Sequence, residues 1–155
     1  MIKQAKVLKI IWWVYIALVF VFVVVKFKGS FIELSDRIRS YSSHEAINYN
    51  LIPFRSIHVQ ISRITQWWAL KNLLGNIVPF IPFGFLLSVT YKNLNSAIKV
   101  LCIGISSILL IEFFQLFTKL GSFDIDDIIL NMIGIICGYF MFLLINRVFK
   151  KSDMI

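Results

Sequence analysis

The sequence predicts an all-α membrane protein: four transmembrane helices with a long, partly interfacial extracytoplasmic loop between helices 1 and 2. Three observations predict it. The 155 residues are 59% hydrophobic and 15% aromatic, and the mean hydropathy of +0.82 lies outside the range of soluble domains. Aspartate and glutamate together number only 8. The apolar residues gather into runs separated by short polar turns, as membrane spans do. A chain of 155 residues fits one transmembrane domain, 1–155, with no room for a separate soluble catalytic domain.

The first span is expected at about 10–26, where residues 10–25 carry no charge and lie between Lys9 and Lys26. As a helix that run rises ~24 Å, short of the ~30 Å hydrocarbon core, and snorkelling lysines extend its reach. A basic start before an apolar run also resembles a signal peptide. The residues that follow, Lys26-Phe27-Lys28, offer no small-residue cleavage site, so the span is read as retained. Residues 27–70 mix charges with Phe, Ile and Leu, and 44 residues is long for a structureless connection. Part of this loop is expected to lie on the membrane surface as amphipathic helix or to pack over the bundle. Trp67 and Trp68 mark the interface where the chain re-enters.

The second span, about 71–91, holds Pro79 and Pro82, each of which removes a backbone donor, so it is expected to be kinked or half re-entrant. The third, about 99–118, follows the polar turn 92–96, and the fourth, about 126–146, follows Gly121-Ser122-Phe123-Asp124. Four spans put both termini on one side. Lysines and arginines divide evenly between the two sides of this topology, but the short 92–99 turn carries Lys92 and Lys99 while the opposite hairpin pairs Lys119 with three aspartates. Short loops weigh most, which places both termini in the cytoplasm at the cell membrane.

The formal charge of +8 does not indicate nucleic acid, because Lys3, Lys6, Lys9, Arg147, Lys150 and Lys151 flank apolar runs as anchors. Cys102 and Cys137 fall inside hydrophobic runs and are expected to be buried and inert rather than disulfide-bonded.

Chemistry centres on Glu112, the one ionisable residue in the run VLCIGISSILLIEFFQLF, with Gln115 about one turn later. A carboxylate costs a few kcal/mol or more at bilayer depth, so it is expected to face protein or water and to have a task. Asn72 and Asn76 share a face of the second span, and Asp127, Asn131, Gly134 and Gly138 share a face of the fourth. Three polar faces are therefore expected to meet at one depth, ~9 Å below the outer surface. Hydrogen bonding between helices alone is the simpler role for Asn72 and Asn131. Asp124, Asp126 and Asp127 could ligate a hard cation together with Glu112, but acids at a helix start also cap its free amides, the role expected for Asp124 and Asp126. Gly134 and Gly138 form a small-xxx-small pair suited to close packing against the second or third span. Arg55, in the long loop, could hold a carboxylate or phosphate if the loop folds over the bundle mouth. His44 and His58 lie in the loop without a nucleophile elbow, a metal-ligand spacing or a phosphate-cradling glycine run. No catalytic residue, metal or cofactor is assigned.

Taken in order, Asn50-Leu51-Ile52-Pro53-Phe54-Arg55, then Asn76-Ile77-Val78-Pro79-Phe80-Ile81-Pro82-Phe83-Gly84, then Glu112-Phe113-Phe114-Gln115, then Asp124-Ile125-Asp126-Asp127 with Asn131, Gly134 and Gly138 resemble the signature of the VanZ-like family. The match covers about 45–140. The resemblance implies a small multi-span protein of the bacterial envelope, whose best-known relative lowers susceptibility to the lipoglycopeptide teicoplanin. It carries over Arg55, Asn76, Glu112, Gln115, Asp124, Asp127 and Asn131. Many relatives have an arginine shortly before the aspartate pair, where this chain offers only Lys119, which cannot make the same two-pronged contact.

The sequence thus leads to an outward-facing polar pocket of Asn76, Glu112, Gln115, Asp127 and Asn131 under a loop carrying Arg55. Its expected partners are the lipid bilayer and an amphiphilic molecule such as a lipid-linked cell-wall intermediate or a lipoglycopeptide, not nucleic acid. The alternative is a membrane enzyme acting on lipid-linked phosphate or sugar, with Glu112 as general base and Asp127 holding a divalent cation. A scaffold whose polar face binds a partner helix is the third reading.

Overall fold

Apolar length decides which segments can cross a bilayer. The computed structural model describes residues 2–24, 49–118 and 120–152. Among them three helices are long and apolar enough to cross: Trp67–Thr90, Ala97–Thr118 and Ile125–Phe149. These correspond to the second, third and fourth spans read from the sequence.

The first helix begins ahead of the apolar run. Helix α1 (Ile2–Val19) begins at Ile2 rather than near residue 10, and it continues as a π-helical turn, Phe20–Val24. Lys3, Lys6 and Lys9 are therefore helical, and all three are exposed. Lysine is a good helix former, so the change in hydropathy at Lys9 marks where apolar surface begins, not where the helix begins. The expected boundary at Lys26, the charged residues between 27 and 48, and Lys119 lie outside the described residues. Through Trp12, Tyr15, Ile16, Val19 and Val23, three or four residues apart, α1 packs on the bundle. The Trp12 ring meets Phe83 edge-on at 5.2 Å and Tyr91 at 6.1 Å.

Strand β1 (Tyr49–Asn50) and helix α2 (Arg55–Ser62) lead into α3 (Trp67–Ile77). A 3-10 turn, Val78–Phe80, separates α3 from α4 (Ile81–Thr90). That break is the interruption the two prolines demand, since neither can donate to the preceding turn. Tyr15 ties α1 to it by donating its hydroxyl to the Pro79 carbonyl at 2.7 Å. A short turn, Lys92–Leu94, precedes α5 (Ala97–Thr118), and β2 (Phe123–Asp124) precedes α6 (Ile125–Ser152). The two strands pair in parallel, Tyr49 opposite Phe123 and Asn50 opposite Asp124, which fastens the segment leading into α2 to the α5–α6 connection.

The tightest seam runs between α6 and the interrupted helix. A Cβ on Gly134 would stand 2.2 Å from the Ile77 carbonyl oxygen, one on Gly138 1.9 Å from that of Ile81, and one on Gly84 2.1 Å from that of Ile135. Backbone therefore meets backbone, the contact that small residues permit between membrane helices.

Contacts also orient the bundle. Trp12 beside Tyr91, and the Tyr139 hydroxyl donating to the Asn95 carbonyl at 3.1 Å, gather the first half of α1 and the α4–α5 turn at one end. The strands, Val23 and Gln115 lie at the other. The outward faces are apolar: Ile98, Leu110 and Phe117 are 77%, 70% and 80% exposed, a surface that lipid covers favourably. Cys102 and Cys137 share this outer surface as free, exposed thiols, which corrects the expectation that both are buried. A thiol behaves as a small apolar group and is as much at home against lipid as against protein.

Candidate functional site

Helix α5 carries one buried stripe at four-residue spacing, Val100, Gly104, Ile108 and Glu112, with Gln115 a further three residues on. Glu112 is 2% exposed, so its carboxylate faces protein and not lipid. Its Oε2 accepts the backbone N–H of Asp124 at 3.2 Å, which joins the third span to the start of the fourth. Gln115, expected beside it in the pocket, donates its side-chain amide to the Val23 carbonyl at 2.8 Å. It thereby satisfies a carbonyl in the π-helical end of α1.

The aspartates divide their work between two helices. Asp124 precedes α6 and caps it, Oδ1 accepting the Asp126 N–H at 2.9 Å. The same carboxylate accepts the Asn50 side-chain amide at 2.9 Å and the Ser56 hydroxyl at 2.7 Å. Asp126, expected to cap its own helix, instead caps α2. Fully buried, it accepts the N–H groups of Phe54 at 2.5 Å, Ser56 at 2.6 Å and Ile57 at 3.1 Å. These are the free amides at the start of α2, and an anion at that end also suits the helix dipole.

The bond to Phe54 explains a strained residue. Phe54 has φ 65, the left-handed region that costs an L-residue roughly 1–2 kcal/mol, and it is the one non-glycine residue so placed among those described. Asn50 shapes the approach by accepting the Ile52 N–H and donating to Ser56 Oγ at 3.1 Å.

One turn inward, Asp127 accepts the Asn76 side-chain amide at 2.5 Å, joining the second span to the fourth. Asn72, four residues before Asn76, is exposed and takes no part in this contact. A further turn along α6, Asn131 is 1% exposed and its Oδ1 has no hydrogen-bond partner among the described residues. A buried amide oxygen left unpaired costs about 1–3 kcal/mol, so it invites a donor. Gly134 and Gly138 continue that face into the seam with Ile77 and Ile81. Arg55, the first residue of α2, is exposed.

Contacts thus bring Asn76 to Asp127 and Glu112 to the Asp124 backbone, with Asn131 buried on the same α6 face. Gln115 turns to α1 instead, and Arg55 stands at the rim. The sequence gives no sign of Ser56, presents Asn50 only within the family signature, and assigns Asp126 to its own helix rather than to α2. Asn50 ahead of Pro53 was the available signal, since asparagine close before proline marks a turn. Among the described residues no three of His, Cys, Asp and Glu gather in a way that could hold a metal ion. Chemically, this end is rich in acceptors and anionic, and it suits a group that brings N–H or O–H donors rather than a bare phosphate.

A family model described as VanZ/LLP1 matches residues 12–146. Protein VanZ of Enterococcus faecium is 30% identical over 111 residues, which is 70% of this chain and 68% of that protein. No solved structure matches the chain.

Proposed function

The chain belongs to the VanZ/LLP1 family, and on that premise we propose that it binds the polar end of an amphiphilic envelope molecule at the outer end of its bundle. The ligand is a lipid-linked cell-wall intermediate or a lipoglycopeptide, and binding modulates susceptibility to teicoplanin. Asn76, Glu112, Asp127 and Asn131 form the polar floor, with Gln115 behind it and Arg55 at the rim. In this reading α1 is a fourth span and both termini are cytoplasmic.

The observation that carries the proposal is the buried, unpartnered Oδ1 of Asn131, one turn from the Asn76–Asp127 pair. Sugar hydroxyls and peptide amides are the donors that such an oxygen lacks. The remote lipid portion would lie along the apolar outer faces of the helices.

The test replaces Glu112 with Gln at matched expression, with susceptibility to teicoplanin and binding of the purified protein as readouts. We expect binding to weaken roughly tenfold, the scale of one charge-assisted hydrogen bond, and susceptibility to move toward that of cells lacking the protein. If both stay unchanged, Glu112 has no part in the mechanism.

One observation favours an enzyme as the second reading. A carboxylate at 2% exposure is placed as a general base would be, acting on a lipid-linked sugar or phosphate. Turnover of such substrates by the wild-type chain and its loss in Glu112→Gln would establish this reading over simple binding.

A further inference from the structure

Helix α2 does not bury an apolar stripe. Its buried side chain is Gln60, at 8% exposure, and Ile57 is half-buried, whereas Val59 and Ile61, and Ile64 just past its end, are 44%, 59% and 44% exposed. A helix over water buries its apolar stripe and exposes its polar one. Polar bonds hold α2 in this attitude: Asp126 takes its first amides and Asp124 takes Ser56, and Val59 and Ile61 stay exposed. Trp67 and Trp68, 73% and 41% exposed, continue the outward surface into α3. Indoles at that position are characteristic of the headgroup level of a membrane.

Among the described residues, charge on this surface has one sign. Between Tyr49 and Thr90 the chain has no aspartate or glutamate, while Arg55, Arg63 and Lys71 are exposed. Among the described residues, Asp124 and Asp126 at the start of α2 are turned onto its amides and the Ser56 hydroxyl.

We propose that α2 and the first turns of α3 are a docking surface for the anionic phospholipids of one leaflet, with Val59, Ile61 and Ile64 among the acyl chains and Arg63 and Lys71 on headgroup phosphates. The long loop is then not an aqueous lid. Its described part, from Tyr49 through α2, is an interfacial anchor that faces lipid with one side and caps the polar end of the bundle with the other. The inference uses neither Glu112 nor Asn131 and stands apart from the ligand reading.

The test uses the full chain in nanodiscs of phosphatidylcholine with and without phosphatidylglycerol. An environment-sensitive fluorophore is attached at Ile61→Cys after Cys102 and Cys137 are changed to Ala. Lipid-borne quenchers are expected to reach the fluorophore and aqueous iodide to be excluded; strong iodide quenching with little lipid quenching overturns the proposal.

Transfer of energy to labelled phosphatidylglycerol then reads lipid preference. Arg63→Gln with Lys71→Gln is expected to lower the preference by roughly 25-fold, about fivefold per cation at about 1 kcal/mol each. Arg63→Lys with Lys71→Arg, which keeps both charges, is expected to retain it. An unchanged preference in the Gln pair, or an equal loss in the charge-retaining pair, refutes recognition by charge. Arg55 stays intact throughout, so loss of the ligand site cannot mimic either result.

Discussion

The seam between α6 and the interrupted helix and the polar end above it are joined by the same helix and held by opposite means. In the seam Gly84, Gly134 and Gly138 face carbonyl oxygens at distances no Cβ tolerates, so shape alone holds it. At the polar end Asp124, Asp126, Asp127 and Glu112 hold neighbours through directional bonds to amides and a hydroxyl. The first region cannot yield locally, because moving one backbone moves a whole helix. The second can open one bond at a time, and the loop can separate while the helices stay packed.

The largest effect is expected from Gly138→Ala. Its added methyl group would stand 1.9 Å from the Ile81 carbonyl oxygen, and backbone on both sides leaves nothing flexible to give. Overpacking at such a contact costs about 3 kcal/mol, and the whole bundle bears it. Thermal unfolding of the purified chain in detergent checks this; a midpoint within a degree or two of wild type would show that the seam can relax, and the contrast with the polar end would disappear.

Asp126→Ala is expected to come next and to act locally. Three amides of α2 lose their acceptor together, worth about 1 kcal/mol each before water replaces part of it. Hydrogen exchange should therefore accelerate over residues 52–62 while α5 and α6 keep their protection. Equal loss of protection in α6 would mean that the loop and the bundle fold as one unit.

The two regions were not equally legible in the sequence. The seam was legible in part: Gly134 and Gly138 sit four apart in an apolar run and Pro79 and Pro82 force a break, but the sequence left open whether the second or the third span is the partner and did not single out Gly84. Local rules are enough for that part. The polar end was legible only as a collection of residues. Glu112, Asp127 and Asn131 stand out by residue type against their apolar surroundings, but the role of Asp126 depends on amides about 70 positions away that no periodicity links to it. Nothing in the type of Phe54 announces a left-handed backbone, since an aromatic residue normally avoids it. The start of α1 was not legible for a different reason: the apolar run marks a span, while helix formation and lipid burial are separate properties, and lysine serves the first without the second.

The smallest effect, and the sharpest control on the comparison, is Gly75→Ala. Gly75 lies in α3, near the seam in sequence, yet among the described residues nothing approaches within 4 Å of where its Cβ would be. With open space and a helical backbone, alanine only reduces the freedom of the unfolded chain, a gain of about 0.5–1 kcal/mol. The same chemical change that wrecks the seam at Gly138 should therefore raise the unfolding midpoint slightly at Gly75. A drop at both positions would mean that helix α3 itself resists alanine, and that the cost at Gly138 does not come from the close approach to Ile81.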